Sequence, residues 1–574
     1  MKNKYLLSGF ATAMMATALV SCSDSFLDEA PQTSISIETV KTSEAGAKAA
    51  VTGLVRQMQR QFDNLKNGNL NFSGETFVAH LYGDGLGPDN NVGEVTNYLR
   101  SGITPSNFRY ANGWWPLWMY NYCYSIIGAA NTIIANIEDE PSDSNEQWLL
   151  ASALTMRAHC YTRLMQVHGP RWIDSNNGQD YVLVLRLEPG EPNDKPFSTC
   201  NEVYDVIYSD LNKAIEMFQK TGVQRGADLF YVNLDVARGI YARAALLKND
   251  YTTAQQMAHA ARQNYPIMTA NNYLEGFSVT NPEWMWAPAM DPLGIYYWGF
   301  GNHYGCNGHY ASNTWGYTDS MQRPLYNLIS DTDVRGRLYF GPMCVKWEPE
   351  LAAQYGITEA DFDDVSLYSS NTYGISITGS GNTPAAKNLA MWNFMKAYGE
   401  TFYSMRPADS EGIYISNSKG RPFGTHYKFQ GLADGYTSCW PPYMRAAEML
   451  LIEAEAAYQN GQSGTAVSCL EELMAQRDPE YKVPATSGQG LFDEIKLQRR
   501  IELWGEGFNW FDYKRWNDVI EYKTATANDI VNSGSYPTTV VATYQPDFMN
   551  GWRAAIPQSE FIYNKLADPS QVGQ

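Results

Sequence analysis

The chain has 574 residues, of which 42 are Lys or Arg and 61 are Asp or Glu, and its formal net charge is −19. This length is too great for one ordinary domain, so we expect several units or one large composite fold. The acidic balance argues against a nucleic-acid-binding protein, which would present a basic face to phosphates, and the apolar content of 44% argues against wholesale disorder.

The first 21 residues predict a secretory signal peptide. Two lysines precede an uncharged run from residue 6 to residue 20, which is too short for a comfortable transmembrane helix. The run ends in Leu-Val-Ser-Cys, which resembles the lipobox of bacterial lipoproteins, so we expect Cys22 to carry lipid and to begin a tether over residues 22–42. An ordinary signal peptide with an accidental cysteine is the alternative.

Helical patterns dominate residues 43–264, which we expect to form an N-terminal helical part. Apolar periodicity and two capping boxes, Ser144 with Gln147 and Thr199 with Glu202, predict its helices. The expected helices run from Glu44 to about Leu65, from Trp118 to about Ile137, from Ser144 to about His168, from Thr199 to about Phe218, from Val236 to Leu247 and from Ala254 to Arg262.

Two segments repeat a helix–turn–helix pattern. In the first segment, residues 249–251 separate the helices predicted over Val236–Leu247 and Ala254–Arg262. In the second segment, residues 460–462 separate helices predicted over Tyr443–Tyr458 and Ala466–Arg477. Small alanines at the crossing are typical of tetratricopeptide repeats, whose hairpins must stack on other helices. The predicted fold class is therefore mostly α, a tetratricopeptide-like scaffold of helical hairpins with long irregular loop and short-strand insertions.

Between the two hairpins, residues 265–440 have a different composition. Residues 291–320 alone hold eight aromatic residues, six glycines and only two charged residues, and no helical stripe fits them. This pattern indicates an aromatic, loop-rich insertion laid on the helical scaffold. Loops of this length inside a compact protein usually serve a function.

Five stretches of the chain, in the same order, resemble the SusD/RagB family of surface glycan-binding lipoproteins from Bacteroidetes. They are residues 22–31, 157–170, 445–456, 499–516 and 555–560. The most specific is Arg-Arg-Ile-Glu-Leu-Trp-Gly-Glu-Gly at residues 499–507, followed by Asp-Tyr-Lys-Arg-Trp. Residues 441–574, which hold the second hairpin and this motif, form the C-terminal part. One departure is Asn509, where the family usually has Arg.

The resemblance implies a protein that binds oligosaccharide at the cell surface without catalysis and without a cofactor. It also implies that the sugar passes to a SusC-like TonB-dependent outer-membrane barrel, which the protein covers as a hinged lid. The acidic residues behind Cys22 look like the surface-export signal of such lipoproteins. We therefore expect an outer-membrane, lipid-anchored protein that faces the cell exterior. A peptide-capturing lid of the same family is the first alternative.

Sugar binding needs an aromatic face that stacks on a pyranose and polar groups that bind its hydroxyls. Two loop regions offer both, residues 82–101 and the aromatic block at residues 291–320, and family members take ligands from the same regions. The candidates are Tyr296, Tyr297, Trp298 and Trp315 as platforms, with Asp89, Asn90, Asn91 and Tyr98 as neighbours. The alternative is that such rings pack into the core, which we expect for Trp114, Trp115, Trp118, Trp284 and Trp286.

A second alternative is a lipid-anchored glycosidase. Glu502 and Glu506 lie four residues apart in the family motif and would share a helix face, as an acid and a nucleophile could. The surrounding charges are Arg499, Arg500, Asp512 and Arg515. Because the basic groups would keep the glutamate pKa values low, which does not suit a general acid, we predict a structural ion network.

Metal binding has weaker signals. His303, Cys306 and His309 could be zinc ligands, but their spacing matches no common closed site and a fourth ligand is missing. Loops rich in Asp and Asn supply the oxygen ligands that calcium prefers, yet their spacing does not match an EF-hand. No metal is therefore assigned.

Overall fold

The structure is a computed structural model in which helices predominate. It describes residues 41–59, 61–62, 72–91, 110–277, 280–288, 320–340, 345–363, 386–403, 425–426, 428–429, 442–521, 543–544 and 553–574. None of the helices in these ranges is both long enough and apolar enough to span a bilayer.

The α-helices of the described ranges are numbered in chain order. They are α1 (Glu44–Val55), α2 (Gly74–Phe77), α3 (Trp114–Ile134), α4 (Ser144–His168), α5 (Cys200–Lys220), α6 (Leu234–Leu247), α7 (Tyr251–Arg262), α8 (Ala270–Leu274), α9 (Arg323–Tyr326), α10 (Pro349–Gln354), α11 (Glu359–Asp363), α12 (Ala386–Tyr403), α13 (Ala446–Gln459), α14 (Ser463–Met474), α15 (Gly488–Glu502), α16 (Asn509–Trp516) and α17 (Gln558–Tyr563). A π-helix follows α2 at Val78–Asp84, and short 3-10 turns lie at Arg56–Met58, Trp172–Asp174, Val334–Leu338 and Pro569–Val572.

The strands are very short and, within the described ranges, form two-stranded antiparallel ladders. They are β1 (Gln61–Phe62), β2 (Phe72–Ser73), β3 (Asn90–Asn91), β4 (Tyr181–Leu183), β5 (Ser198–Thr199), β6 (Trp284–Trp286), β7 (Ser320–Met321), β8 (Tyr339–Phe340), β9 (Thr425–His426), β10 (Met444–Arg445), β11 (Ile520–Glu521) and β12 (Thr543–Tyr544). The pairs are β1 with β2, β3 with β7, β4 with β5, β6 with β10, β8 with β9 and β11 with β12. Three of these ladders, β3 with β7, β6 with β10 and β8 with β9, join segments that are far apart in the chain. The described ladders do not build a sheet core.

The core is helical, and α4 lies at its centre. Every residue of α4 from Gln147 to His168 is buried, because α3, α5 and α1 all pack on it. A helix this enclosed cannot show a one-sided apolar stripe, and several of its polar residues are paired inside the core. The Arg157 guanidinium, for example, donates two hydrogen bonds of 2.7 Å to Asp210 on α5.

Both predicted helical hairpins are confirmed. Helix α6 packs on α7 and α13 packs on α14, while α7 and α13 join the two hairpins. The turns need left-handed backbone, which Asn249 (φ 57°) and Gly461 (φ 75°) provide. Helix α13 begins at Ala446 and not near residue 443, because the two residues before it form β10.

The end of α1 and the cap of α4 differ from the sequence prediction. Helix α1 stops at Val55, ten residues short of the expected end, because the chain turns into β1 and pairs with β2. Helix α4 is capped by Asp143, whose side chain accepts hydrogen bonds from the backbone N–H groups of Asn145 and Glu146. The Ser144–Gln147 capping box was therefore wrong, whereas the box of Thr199 with Glu202 is confirmed.

Helix α12 lies in the segment for which we predicted loops and short strands only. Its buried residues, Met391, Phe394, Met395 and Tyr398, follow the i, i+3, i+4, i+7 spacing of an amphipathic helix. They join a hydrophobic cluster with α9 and the family motif. The periodic signal was present in the sequence, but the surrounding glycine-rich and aromatic segments obscured it.

The π-helix at Val78–Asp84 packs directly on the backbone of the family motif. Gly83 and Gly507 face each other so closely that a Cβ on Gly83 would overlap the carbonyl of Gly507. Gly507 itself has a φ of 90° and leaves no room for a Cβ beside Ala79. The position of the chain that leads to β3 therefore depends on two glycines.

Replacing Gly83 by Ala should lower the free energy of unfolding by about 1–3 kcal/mol, because rigid backbone cannot move away from the added Cβ. Gly53→Ala is the matched control: Gly53 lies on the exposed face of α1, where a Cβ meets nothing within 4 Å, so this change should be neutral or slightly stabilising. Chemical denaturation measures both variants. Equal unfolding free energies would contradict the close packing.

Candidate functional site

The ladder of β3 and β7 joins the two regions that we predicted to bind sugar. Asn90 pairs with Met321 and Asn91 with Ser320, and the N–H of Gln322 donates a 2.9 Å hydrogen bond to the carbonyl of Asp89. The chain leaves β3 into residues 92–109 and enters β7 from residues 289–319. The two predicted loop regions therefore attach to neighbouring residues of one ladder, which we call the β3–β7 base.

Contacts from the family motif hold the β3–β7 base in place. Arg500 forms a bidentate ion pair with the Asp89 carboxylate, with N–O distances of 2.7 and 2.6 Å. The Asn509 amide donates to the same carboxylate at 2.6 Å, and the Trp504 indole donates to the Asp89 carbonyl at 3.1 Å. Asp89 is 3% exposed. These contacts give the Asp89 side chain a structural role.

The departure from the family pattern at Asn509 belongs to this arrangement. Its side-chain oxygen accepts a 3.2 Å hydrogen bond from the N–H of Asp89, while its NH₂ group donates to the carboxylate. The Asn509 amide thus binds both the backbone and the side chain of Asp89. A neutral side chain is sufficient here because Arg500 already neutralises the carboxylate.

Asn90 is the second predicted site residue whose side chain the structure describes. It is 3% exposed, and neither its amide oxygen nor its NH₂ group has a hydrogen-bond partner among the described residues. A buried amide without partners is unfavourable, so a group beyond those residues is needed to satisfy it. Asn91 lies in the same ladder, where its backbone position alone is described.

The other predicted site residues lie outside the described residues. They are Tyr98, Tyr296, Tyr297, Trp298 and Trp315, together with the lipidation candidate Cys22 and the metal candidates His303, Cys306 and His309. Their predicted roles stay predictions. Within the described residues, no group of three or more His, Cys, Asp or Glu side chains could hold a metal ion.

Four of the five rings that we assigned to the core are described, and these four are buried as predicted. Trp284 and Trp286 on β6 are 1% and 0% exposed, and Trp115 and Trp118 on α3 are similarly enclosed. Trp114 begins α3, but its side chain is not described.

The charged residues of the family motif form a buried ion network, which confirms the structural prediction for this cluster. Arg445 lies at its centre and donates to Glu283 at 2.8 Å, to Glu502 at 2.8 Å and to Glu506 at 2.7 Å. Arg445, Glu283 and Glu502 have no exposed side-chain surface, and Glu506 has almost none. The network therefore fills the junction of β6, β10 and α15.

Further cations surround the same two glutamates. Arg477 contacts Glu502 at 3.0 Å, and Arg335 contacts it at 3.3 Å. Lys428 donates to Glu506 at 2.6 Å. These cations, Arg445, Arg477, Arg335 and Lys428, come from four separate segments, so no local sequence pattern predicts that they converge. An outer pair, Arg499 with Asp512, continues the network along α15 and α16 at 2.6 Å.

The electrostatics of this network exclude acid catalysis by the motif glutamates. Burial alone would raise the pKa of Glu502, but Arg477, Arg445 and Arg335 hold it well below its usual range. Burial likewise opposes ionisation of Glu506, whose pKa is nevertheless lowered by Arg445 and Lys428. Both groups are ionised, enclosed and fully engaged. They cannot serve as a proton donor and a nucleophile for an external substrate.

Comparisons with known proteins match most of the chain. A family model described as "SusD family" matches residues 296–566, and one described as "Starch-binding associating with outer membrane" matches residues 25–225. A curated SusD-like protein from Bacteroides ovatus is 24% identical over 546 residues, which are 90% of this chain and 83% of that protein.

Solved structures share the fold. A SusD-like carbohydrate binding protein from Bacteroides vulgatus has a TM-score of 0.64 at 20% identity, covering 91% of this chain and 97% of that chain. A SusD superfamily protein from Bacteroides thetaiotaomicron has a TM-score of 0.63 at 16% identity, covering 91% and 98%. The fold is therefore common to this chain and both of those structures.

Replacing Arg445 by Met should lower the free energy of unfolding by about 3–5 kcal/mol, because it leaves buried carboxylates without their main counter-charge. The matched control is Lys48→Met, which removes an exposed ion pair with Glu44 and should leave the melting temperature unchanged. Thermal and chemical denaturation measure both. A similar small effect for the two variants would show that the network is not needed for stability.

The same network predicts loss of stability in acid. The folded-state pKa values of Glu502 and Glu506 lie below their ordinary value of 4.5, so their contribution is fully present above that pH and is lost as the pH falls towards the folded values. Urea unfolding at a series of pH values should show this decline below about pH 4.5. Glu506→Gln should make the decline shallower. Glu138→Gln, which changes an exposed carboxylate, should not. The same dependence of unfolding free energy on pH in both variants would contradict the role given to Glu506.

Proposed function

This chain belongs to the SusD/RagB family, and from that premise we propose that it binds oligosaccharide at the bacterial surface and delivers it, chemically intact, to a TonB-dependent outer-membrane transporter. The observation that carries the proposal is the β3–β7 base. It attaches two segments rich in aromatic and amide side chains to adjacent residues, as a site that combines stacking with hydroxyl recognition requires.

The described residues support this site in two ways. The base is rigid, since Arg500, Trp504 and Asn509 all hold Asp89 from the family motif. Asn90 follows Asp89 and belongs to the base, and its buried amide lacks a partner among the described residues. A sugar hydroxyl could satisfy both the donor and the acceptor of such an amide. In this proposal Trp298, Trp315 and their neighbouring tyrosines stack on the sugar.

Binding without catalysis is part of the proposal. The motif glutamates, which offered the strongest glycosidase pattern in the sequence, are ionised and enclosed in the ion network. The matched descriptions also concern binding: one family model is called starch-binding, and the Bacteroides vulgatus relative is called a carbohydrate binding protein. No cofactor is needed for stacking and hydrogen bonding.

We further propose that the protein sits on the outer membrane through lipid on Cys22 and faces the cell exterior. The signal-like residues 1–21 and the acidic start of the tether support this location, and one matched family model is described as associating with the outer membrane. The lipid anchor would keep the binding site close to a SusC-like barrel, so that captured glycan does not diffuse away.

Replacing Trp298 and Trp315 together by Ala should weaken binding to the preferred glycan by roughly fivefold or more, because each lost ring removes about 0.5–1.5 kcal/mol of stacking. Affinity electrophoresis in gels that contain polysaccharide measures the loss of retention. Tyr181→Ala, which removes an exposed ring on β4, is the matched control and should migrate like the parent protein.

Three outcomes would contradict the proposal. Retention of the double variant equal to that of the parent would exclude these rings as platforms. Shortened glycan after incubation with the parent protein would show catalysis. If the parent is retained on no glycan but binds peptides from a mixed peptide pool, the peptide-capturing alternative is correct.

A further inference from the structure

A groove lies between α3, the loop at residues 186–193 and the C-terminal segment at residues 557–564. It has a volume of about 840 Å³, which is within the usual range of small-ligand sites. We call it the C-terminal groove. It shares no lining residue with the β3–β7 base, so it is not an extension of the contacts already described.

Helix α3 forms the floor of the C-terminal groove. Its groove face carries Leu117, Asn121, Tyr124, Gly128 and Thr132, which follow the spacing of one side of a helix. The opposite side, which includes Trp118 and Tyr122, is buried in the core. The floor therefore combines an amide, a phenol and a hydroxyl on a helix that is fixed from behind.

Gly128 has no structural reason to be a glycine. It lies on the exposed side in the middle of α3, where a glycine costs roughly 0.5–1 kcal/mol relative to alanine. A Cβ at this position would meet nothing within 4 Å, so packing does not forbid a side chain. What the glycine does achieve is an open floor at the centre of the groove.

The walls of the C-terminal groove are ordered before any ligand binds. Arg186 donates to the carbonyls of Pro192 and Asn193, at 2.5 and 2.6 Å, and forms an ion pair with Glu560 at 3.6 Å. Asn564 donates to Glu560 at 2.7 Å. A preformed polar wall reduces the entropy cost of binding.

An exposed ring completes the groove. Tyr563 on α17 is 72% exposed although it lines the groove, and its neighbour Ile562 is 62% exposed. An exposed ring beside fixed amide and hydroxyl groups is suited to a ligand with both a C–H face and many hydroxyls. The lining carries three carboxylates, Glu188, Glu191 and Glu560, and one guanidinium, that of Arg186, which pairs with Glu560. Lys195 beside the groove pairs with Glu191. The lining still has more carboxylates than cations, so the groove disfavours anionic ligands.

We propose that the C-terminal groove is a second binding subsite for neutral oligosaccharide, separate from the site at the β3–β7 base. This inference rests on the proposed glycan-binding function and extends it. Two subsites on one rigid scaffold would hold a long polysaccharide more tightly than either alone. Short oligosaccharides, which reach only one subsite at a time, would gain little.

The test uses a variant that fills the groove without disturbing the fold. Gly128→Leu places a side chain on the open floor, and Gly53→Leu makes the same change at an exposed helical glycine outside the groove. Each is examined by affinity electrophoresis of the full mature chain on amylopectin, galactomannan and xyloglucan as neutral probes and on polygalacturonate as an anionic probe. Tyr563→Ala and Tyr563→Phe separate the ring from the phenol hydroxyl.

On the neutral polysaccharide that retains the parent protein, Gly128→Leu and Tyr563→Ala should each weaken binding by roughly five- to tenfold. Gly53→Leu and Tyr563→Phe should bind like the parent. The variant that lacks Trp298 and Trp315 should keep a residual retention, which Gly128→Leu then abolishes.

The outcomes separate this inference from the proposed function. If the parent is retained but Gly128→Leu and Gly53→Leu both migrate like it, the second subsite is refuted while glycan binding stands. Retention of the parent on polygalacturonate alone would also refute a neutral subsite. If no polysaccharide retains the parent, the proposed function fails, and this inference fails with it.

Discussion

The carboxylates of Glu502 and Glu506 are buried, and they can remain ionised only if cations enclose them. Arg445 contacts both carboxylates. Three other cations contact one or the other: Arg335 in the 3-10 turn at Val334–Leu338, Arg477 just after α14, and Lys428 beside β9. Each of these segments is therefore held against α15. The charged family motif acts as the point at which the helical scaffold and the insertion are joined.

The proposed binding site depends on the same helix. Glu502 faces the ion network, while Arg500 on the adjoining side of α15 holds Asp89, and Asp89 precedes β3. Fixing α15 thus fixes the base to which both predicted sugar-binding segments are attached. Gly83 and Gly507 add a second constraint, because their backbones meet only in the absence of side chains. Rigid support of this kind suits recognition by stacking, which loses affinity when rings are misaligned.

Local patterns in the sequence were sufficient for the helical hairpins, for the burial of Trp284 and Trp286 and for the ionic character of the motif. Contacts between residues far apart in the chain were not accessible in the same way. The sequence pattern predicts that Asp89 is a sugar-binding neighbour, yet its carboxylate is held by Arg500, which lies 411 residues away in the chain. Arg445 carried no sign that it would be the centre of the network. Helix α12 was missed because its apolar stripe lies between segments without periodicity.

Hydrogen exchange of the mature protein, with and without a neutral oligosaccharide that it binds, tests the central claim most directly. The account predicts slower exchange in peptides that cover residues 84–109 and 289–322, together with recovery of the oligosaccharide at its original length. Unchanged exchange in both of these segments, or recovery of a shortened oligosaccharide, would contradict it.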